Sequence, residues 1–171
     1  MPKFKVLFIS LATIIVLQLC ILVLKHLGFG LVYNASKSMS RGVYVVIPAK
    51  KIQRNDIVVF YPPFTTQQFL SMQHWGPGNH LLMKHVLGLP GDWVCKRKNT
   101  LWINQNKVAN VLVFYATNKK IPQVDFCGYL TVDQYLLLST NSERSFDGRY
   151  FGPVQRQNIK GKAVLLLLRL H

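Results

Sequence analysis

Two serine hydroxyls in the segment NASKSMSRGVY (34–44) are the first groups in this sequence that could attack a substrate. Ser36 and Ser38 lie two residues apart, shortly after a long hydrophobic stretch. A serine hydroxyl is a weak nucleophile until a neighbouring base takes its proton, so the segment is either an ordinary polar turn or half of a catalytic pair. Histidine is the usual base, and three candidates stay open: His74, His80 and His85. The chain contains no Gly-x-Ser-x-Gly motif.

Lys84 is the better supported base. It lies in LLMKHVLG (81–88), where a strand would turn Leu82, Lys84 and Val86 to one face and surround the amine with aliphatic groups. Burial disfavours the ammonium form, and lowering a lysine pKa from about 10.4 to about 7 requires ~4.6 kcal/mol. The chain has only 6 Asp and Glu residues, so few carboxylates could oppose that shift. The alternative is a lysine that extends from an edge strand into solvent.

A hydrophobic run precedes these residues. Residues 6–24 contain no charge, and as a helix they would span about 28 Å, one hydrocarbon core. The run exceeds the apolar region of a cleaved signal peptide, so we predict a tail over 1–5, a retained anchor over 6–25 and one domain over 26–171. Positive charge flanks both ends of the anchor and leaves its orientation open.

The remainder of the chain predicts a mostly antiparallel β domain. Runs rich in Val, Ile, Leu, Phe and Tyr alternate with turn residues and predict these strands: 43–48, 56–62, 80–89, 92–96, 100–104, 109–116, 135–140 and 163–170. Residues 60–78 are interpreted as a loop with large apolar side chains, either a lid or a segment that dips into the membrane interface.

Cys95 and Cys127 are the cysteines outside the hydrophobic run, which holds Cys20. They would pair in an oxidising compartment, and two free buried thiols are the alternative.

The net charge of +15 predicts attraction to polyanions, either an anionic phospholipid surface or nucleic acid. The basic residues are scattered and match no known nucleic-acid-binding motif, which favours the lipid surface.

Three ordered segments resemble the boxes of the type I signal peptidases, which are membrane-anchored serine–lysine proteases. SKSM (36–39) matches S-x-S-M, and KHVLGLPGD (84–92) matches K-R-V-x-G-x-P-G-D with His85 in place of Arg. NSERSFDGRYFGPV (141–154) matches the last box, although Ser139-Thr140 replaces its leading Gly-Asp and Gly148 replaces a Ser. The resemblance covers essentially the whole chain and implies a signal-peptidase-like β domain with one N-terminal transmembrane helix.

Residues 38–44 resemble the S-x-P-x-G-x-Y pattern of the conjugative-transfer branch, the TraF-like peptidases. Ser40 occupies the position of the proline, so this resemblance implies a less rigid turn. The closing FDGRYFGPV (146–154) also resembles that branch.

The resemblance implies a role for each matching residue. Ser38 would be the nucleophile and Lys84 the general base, and the Ser38 N–H and the Ser36 hydroxyl would form the oxyanion hole. A spacing of two on an extended strand would place both serines on one face. Supporting roles fall to the last box: Ser145 would hydrogen-bond the lysine amine, and Asp147 and Arg149 would pair and brace their loop. Pro90-Gly91-Asp92 would be a structural turn.

The implied function is cleavage of a membrane-inserted precursor after small side chains, with no metal or cofactor. The substrate would add as a strand at residues 43–48 or at the segment before Lys84. For the TraF-like branch it would be a pilin precursor of a conjugative or type IV secretion system, released by hydrolysis or by cyclisation. The domain would lie on the periplasmic side of the bacterial inner membrane. The alternatives are a general type I signal peptidase, a noncatalytic single-span secretion subunit and a membrane-tethered nucleic-acid binder.

Overall fold

The computed structural model describes residues 2–72, 81–115 and 119–168. Its first element is helix α1, Pro2–His26, which ends before Gly28 at a φ of 84°. The stretch Phe4–His26 has a mean hydropathy of 2.9 and is long and apolar enough to cross a membrane. The predicted anchor is therefore a helix, and it begins at Pro2 rather than at residue 6.

The rest of the described chain is mainly antiparallel β structure, as the sequence predicts. Its strands, in chain order, are β1 Gly30–Asn34, β2 Gly42–Ile47, β3 Ile57–Phe60, β4 Leu82–Gly88, β5 Trp93–Arg97, β6 Thr100–Ile103, β7 Asn106–Asn110, β8 Phe114–Tyr115, β9 Lys119–Lys120, β10 Cys127–Tyr129, β11 Gln134–Leu138, β12 Val154–Gln155 and β13 Ile159–Leu168. Two further helices are α2, Phe64–Met72, and α3, Gly148–Phe151.

The main sheet has seven strands in the order β1-β2-β13-β3-β4-β11-β12. Strand β13 lies between β2 and β3, so the C-terminal strand joins the N-terminal hairpin to the strands that follow it. Strand β3 pairs with β4 and places Val58 opposite Lys84. This order rules out residues 43–48 as a substrate edge, because β2 already has β1 and β13 as neighbours.

A second sheet has four strands in the order β10-β5-β6-β7. Its inner face packs against the main sheet, where Val94 and Leu101 share one buried cluster with Leu136 and Leu138 of β11. Strands β10 and β5 place Cys127 opposite Cys95, and the structure joins the two residues in a disulfide.

A separate buried cluster lies beneath the segment that carries Ser38. It contains Met39, Tyr44, Val46, Val59, Met83 and Ala163. Met39, the residue that follows Ser38, is 3% exposed. Burying a side chain of this size contributes about 1.5–3 kcal/mol, so Met39 anchors the turn beside Ser38. Gly42 lies at the start of β2, and a Cβ there would come within 2.1 Å of the Leu167 carbonyl oxygen. Only glycine therefore permits the close pairing of β2 with β13 at this point.

Two local predictions are wrong. Residues 60–78 were expected to form a loop, but they include α2, whose Phe69 packs against Phe146 at 5.4 Å between ring centroids. The strand expected over 109–116 is divided between β7 and β8, because the Val111 N–H turns away to the Asn99 carbonyl. The part of 60–78 from residue 73 onward lies outside the described residues.

Candidate active site

Ser38 lies in a turn between β1 and β2. Strand β1 ends at Asn34, and residues 35–41 bend before β2 begins at Gly42. The prediction that Ser36 and Ser38 lie on an extended strand is therefore wrong. Their hydroxyls still meet, with 2.9 Å between the two Oγ atoms, because the turn brings alternate side chains together.

Lys84 reaches this turn from the middle of β4. Its Nζ lies 2.8 Å from Ser38 Oγ, although the two residues are 46 positions apart in sequence. Lys84 and Val86 are both buried on one face of the strand, in agreement with the alternation predicted from the sequence. The turn and the strand thus bring the predicted nucleophile and the predicted base into direct contact.

Burial sets the proton affinity of this amine. Lys84 is 4% exposed, and desolvation lowers its pKa from the usual value to about 8. The Asp147 carboxylate opposes this shift, and the Arg149 guanidinium adds to it. Among the described residues, Lys84 forms no ion pair. About a tenth of the amine is therefore neutral at pH 7, far more than for an exposed lysine, and able to accept a proton from Ser38.

Asp147 and Arg149 form a buried ion pair beside the site. Arg149 donates from Nε and Nη2 to the two carboxylate oxygens of Asp147, at 2.9 Å each. The guanidinium also donates to the carbonyls of Ser139, Ser142 and Glu143. Because Arg149 pairs with Asp147 through two hydrogen bonds and also binds three backbone carbonyls, it holds the 139–149 loop in place.

Ser139 connects that loop to Ser38. Its N–H donates to Asp147 Oδ2 at 2.9 Å, and its hydroxyl donates to the Ser38 carbonyl at 2.5 Å. In the family pattern this position holds glycine, which has no hydroxyl. The contact is therefore a property of this chain that the comparison of motifs did not indicate.

Ser145 does not make the hydrogen bond predicted for it. Its hydroxyl is buried, but it bonds to no residue that the structure describes. The Ser145 N–H donates to the Ser142 carbonyl, and Arg149 holds that same carbonyl. The position of this loop is therefore set by the ion pair and by backbone bonds rather than by a bond between Ser145 and Lys84.

His85, the alternative base, lies next to Lys84 but on the other face of β4. Its Nδ1 contacts Thr140 Oγ1 at 3.2 Å. Burial and the neighbouring Lys84 lower the pKa of His85. The other two candidates, His74 and His80, lie outside the described residues.

Asn34 and Tyr44 also belong to the site. From the sequence, Tyr44 was noted only as part of the 38–44 pattern, and no role was predicted for either residue. Asn34 accepts the Ser36 hydroxyl at 2.8 Å and donates from Nδ2 to three carbonyls of the turn. Tyr44 donates its hydroxyl to the Ser40 carbonyl at 2.8 Å. The available signal was an asparagine placed just before a bend, since asparagine side chains often bond to nearby backbone in turns.

Comparison with known proteins shows the family of this chain. Residues 4–168 match the family of signal peptidases, peptidase S26. The chain belongs to this family.

Its relatives include both signal peptidases and plasmid transfer proteins. The chain is similar to signal peptidase I V of Bacillus subtilis (strain 168), at 28% identity over 127 residues. It is also similar to a plasmid transfer protein TraF of Escherichia coli, at 31% identity over 137 residues. These matches cover 66% and 74% of this chain, and they span 64% and 76% of the two relatives. A signal peptidase I of Enterococcus faecalis V583 aligns in three dimensions with a TM-score of 0.39 and 28% identity, over 69% of this chain and 98% of that one.

Proposed function

We propose that this protein is a membrane-anchored serine endopeptidase that cleaves exported precursors, with Ser38 as nucleophile and Lys84 as general base. The observation that carries the proposal is the 2.8 Å contact between a buried amine of lowered pKa and the Ser38 hydroxyl. Membership of the signal peptidase family supports the same reaction class.

The reaction follows from this geometry as an acyl transfer in two halves. Ser38 Oγ attacks the carbonyl carbon of the scissile peptide bond while the neutral Lys84 amine takes the hydroxyl proton. The negative charge that develops on the carbonyl oxygen is stabilised by the Ser38 N–H and the Ser36 hydroxyl. Lys84 then gives its proton to the leaving amine, and water or another amine releases the acyl group from Ser38.

Strand β4 offers a place for an extended substrate next to the amine. Strand β11 pairs with β4 at residues 85–88, whereas residues 82–84 pair with β3 on their other side. The backbone of residues 82–84 is therefore unpaired on the side facing away from β3, within the part of the chain that the structure describes. A precursor that pairs there as a strand would bring its scissile bond to Ser38.

The anchor and the disulfide support a periplasmic placement of the domain. The apolar helix α1 and the signal peptidase relatives indicate a membrane-anchored protein. A disulfide between Cys95 and Cys127 persists in an oxidising compartment such as the bacterial periplasm. We therefore place α1 in the inner membrane as a single span, with residues 30–168 outside it.

The similarity to plasmid transfer proteins favours a pilin precursor of a conjugative or type IV secretion system as substrate. The match to TraF covers more of both chains than the match to the Bacillus signal peptidase. General processing of exported proteins is the second candidate, and the signal peptidase I relatives support it.

The test is co-expression of the full chain with candidate precursors, followed by intact-mass measurement of the product. Wild-type protein should remove a leader segment, and Ser38→Ala and Lys84→Ala should each leave the precursor uncut. A product lighter by the leader alone indicates hydrolysis, and one lighter by a further water indicates ring closure. Cleavage that persists in Ser38→Ala would show that Ser38 is not the nucleophile.

A further inference from the structure

The backbone carbonyls around Ser38 are held by side chains rather than by other backbone groups. Asn34 Nδ2 donates to the carbonyls of Ser36, Met39 and Ser40 at 3.0–3.1 Å. Ser139 Oγ donates to the carbonyl of Ser38 itself at 2.5 Å. The Asn34 amide nitrogen has two hydrogens, so at least one of them is shared between two carbonyls. A single side-chain amide therefore binds three carbonyls of the turn.

These bonds fix the peptide planes on both sides of the predicted oxyanion donor. The Ser36 carbonyl belongs to the peptide before Lys37, and the Ser38 carbonyl belongs to the peptide after Ser38. The peptide plane between them carries the Ser38 N–H. Because Asn34 and Ser139 hold the neighbouring planes, that N–H can turn only through opposite changes in ψ of Lys37 and φ of Ser38, which restricts its direction.

We propose that Asn34 and Ser139 are positioning residues that preorganise the oxyanion hole of this peptidase. The inference rests on the proposed function, since it concerns the geometry of the same reaction. Preorganised donors stabilise a developing oxyanion without reorganisation at the moment of reaction, which is why their placement affects turnover more than binding.

Asn34 also controls the hydroxyl of Ser36. Asn34 Oδ1 can only accept, so Ser36 Oγ uses its one proton on that oxygen, at 2.8 Å. The contact between Ser36 and Ser38 is then a bond in which Ser38 donates. For Lys84 to take that proton, the Ser38 hydroxyl must first turn from Ser36 toward the amine. Throughout, Asn34 holds the Ser36 oxygen in place beside Ser38.

Ser139 is itself held on three sides. Its N–H donates to Asp147, its carbonyl accepts from Arg149, and its hydroxyl oxygen accepts the Asn141 N–H at 3.3 Å. The residue is 7% exposed. The buried ion pair therefore reaches the nucleophile through Ser139, and this gives Asp147 and Arg149 an influence on catalysis without any contact with substrate.

The test measures kcat and KM of the full chain in detergent micelles with a fluorogenic peptide that has alanine at the first and third positions before the cut. Asn34→Ala and Ser139→Ala should each lower kcat roughly 10- to 100-fold and leave KM within about twofold, because the donors are displaced without loss of the substrate strand. Asn34→Asp is the second variant, since it keeps the size of the side chain and removes its donor. It should lower kcat as well.

Matched controls separate positioning from general damage. Asn110→Ala removes an exposed asparagine at the end of β7, and Ser142→Ala removes a hydroxyl from the 139–149 loop while keeping the carbonyl that Arg149 uses. Both should retain wild-type kcat. Melting temperature and the rate of labelling of Ser38 by a fluorophosphonate are measured in parallel, and labelling should slow in the Asn34 and Ser139 variants alone.

Different results would overturn the proposed function and the positioning role of Asn34 and Ser139. Cleavage that survives Ser38→Ala, or a wild-type chain that neither cleaves nor reacts with the fluorophosphonate, overturns the proposed function and this inference with it. An inactive Ser38→Ala beside wild-type kcat in Asn34→Asp or Ser139→Ala overturns the inference alone. A loss confined to KM in those two variants overturns it as well.

Discussion

Two lysines of equal burial occupy the two sheets, and they differ in their surroundings. Lys84 in β4 and Lys96 in β5 are each 4% exposed. Lys96 Nζ lies 3.4 Å from Asp125 Oδ1 and donates to the Val124 carbonyl at 3.3 Å. Lys84 Nζ contacts a serine hydroxyl instead, and burial lowers its pKa to about 8.

The comparison shows that two equally buried lysine amines can have different partners. A carboxylate, that of Asp125, lies at contact distance from Lys96. Beside Lys84 the nearest carboxylate, that of Asp147, is already engaged by Arg149 in a bidentate pair. Each sheet thus buries one amine, the first beside the Ser38 hydroxyl and the second beside the loop that carries Asp125.

Replacement by arginine should affect the cleavage rate very differently at the two lysines, and this is the largest effect that we expect. Lys84→Arg should abolish processing, a loss of about 1,000-fold or more, because a guanidinium stays protonated and cannot act as a base. Lys96→Arg should process at a rate near that of wild type, since the ion pair accepts either cation. Both are measured as initial rates of precursor cleavage, and an active Lys84→Arg would contradict the role of Lys84.

Removal of the disulfide should affect stability and leave the chemistry intact. The bridge joins residues separated by 32 positions, and closing a loop of that size contributes about 3–4 kcal/mol in the chain-entropy model. Cys95→Ser combined with Cys127→Ser should therefore lower the melting temperature in detergent by many degrees. Below its new transition the variant should still cleave, and a loss of kcat there would mean that the second sheet positions the site directly.

The unfolding free energy should rise with pH because of Lys84. The amine has a pKa of about 8 in the folded state and about 10.5 when unfolded. Between these values the unfolded chain binds more protons, so stability increases with pH, by on the order of 3 kcal/mol in total. Denaturant titrations of wild type and Lys84→Met across this window should differ in slope. Parallel pH dependences would show that the amine is not desolvated.

The same amine should give the pH dependence of turnover. Below a pKa of about 8 the fraction of neutral Lys84 falls tenfold per pH unit, and kcat/KM should fall with it. Measurements on the fluorogenic peptide from pH 6 to pH 9 should show this limb in wild type and in Lys96→Arg. A flat profile would assign the proton transfer to another group.

The smallest effect should come from Asp125. Its side chain is 91% exposed, and pairs of this kind contribute about 0–1 kcal/mol. Asp125→Asn should therefore shift the melting temperature only slightly and leave cleavage unchanged. A large loss of stability would show that the buried Lys96 depends on that single carboxylate.

The sequence predicted which residues would meet at the candidate site better than it predicted the backbone conformation there. The alternation in β4 predicts which way Lys84 points, because period-two burial is a local property of a strand. The ordered motifs identify Ser38 and the Asp147–Arg149 pair. The bend at residues 35–41 was missed, although the bonds from Asn34 are local; the bond from Ser139 forms only when distant segments meet.

The sequence offered Cys95 and Cys127 as a possible pair but could not give their distance, and it did not predict α2. Strand β10 has three residues, too few for a period-two pattern, so nothing local places Cys127 opposite Cys95. Helix α2 contains Thr65 and Thr66, which have low helix propensity, and its stability depends on tertiary contacts such as that of Phe69 with Phe146.

The short connection between α1 and Ser38 would limit how far from the membrane the proposed peptidase could cut its substrate. The helix ends at His26 and Ser38 follows twelve residues later, a length of chain that could span at most roughly 40 Å and that here includes a folded strand. If α1 is fixed in the bilayer, a precursor is accessible only where its own chain has just left the lipid. The distance along a substrate from its membrane segment to the scissile bond would then depend on the length of the segment between His26 and Ser38 as well as on the residues that flank the cut.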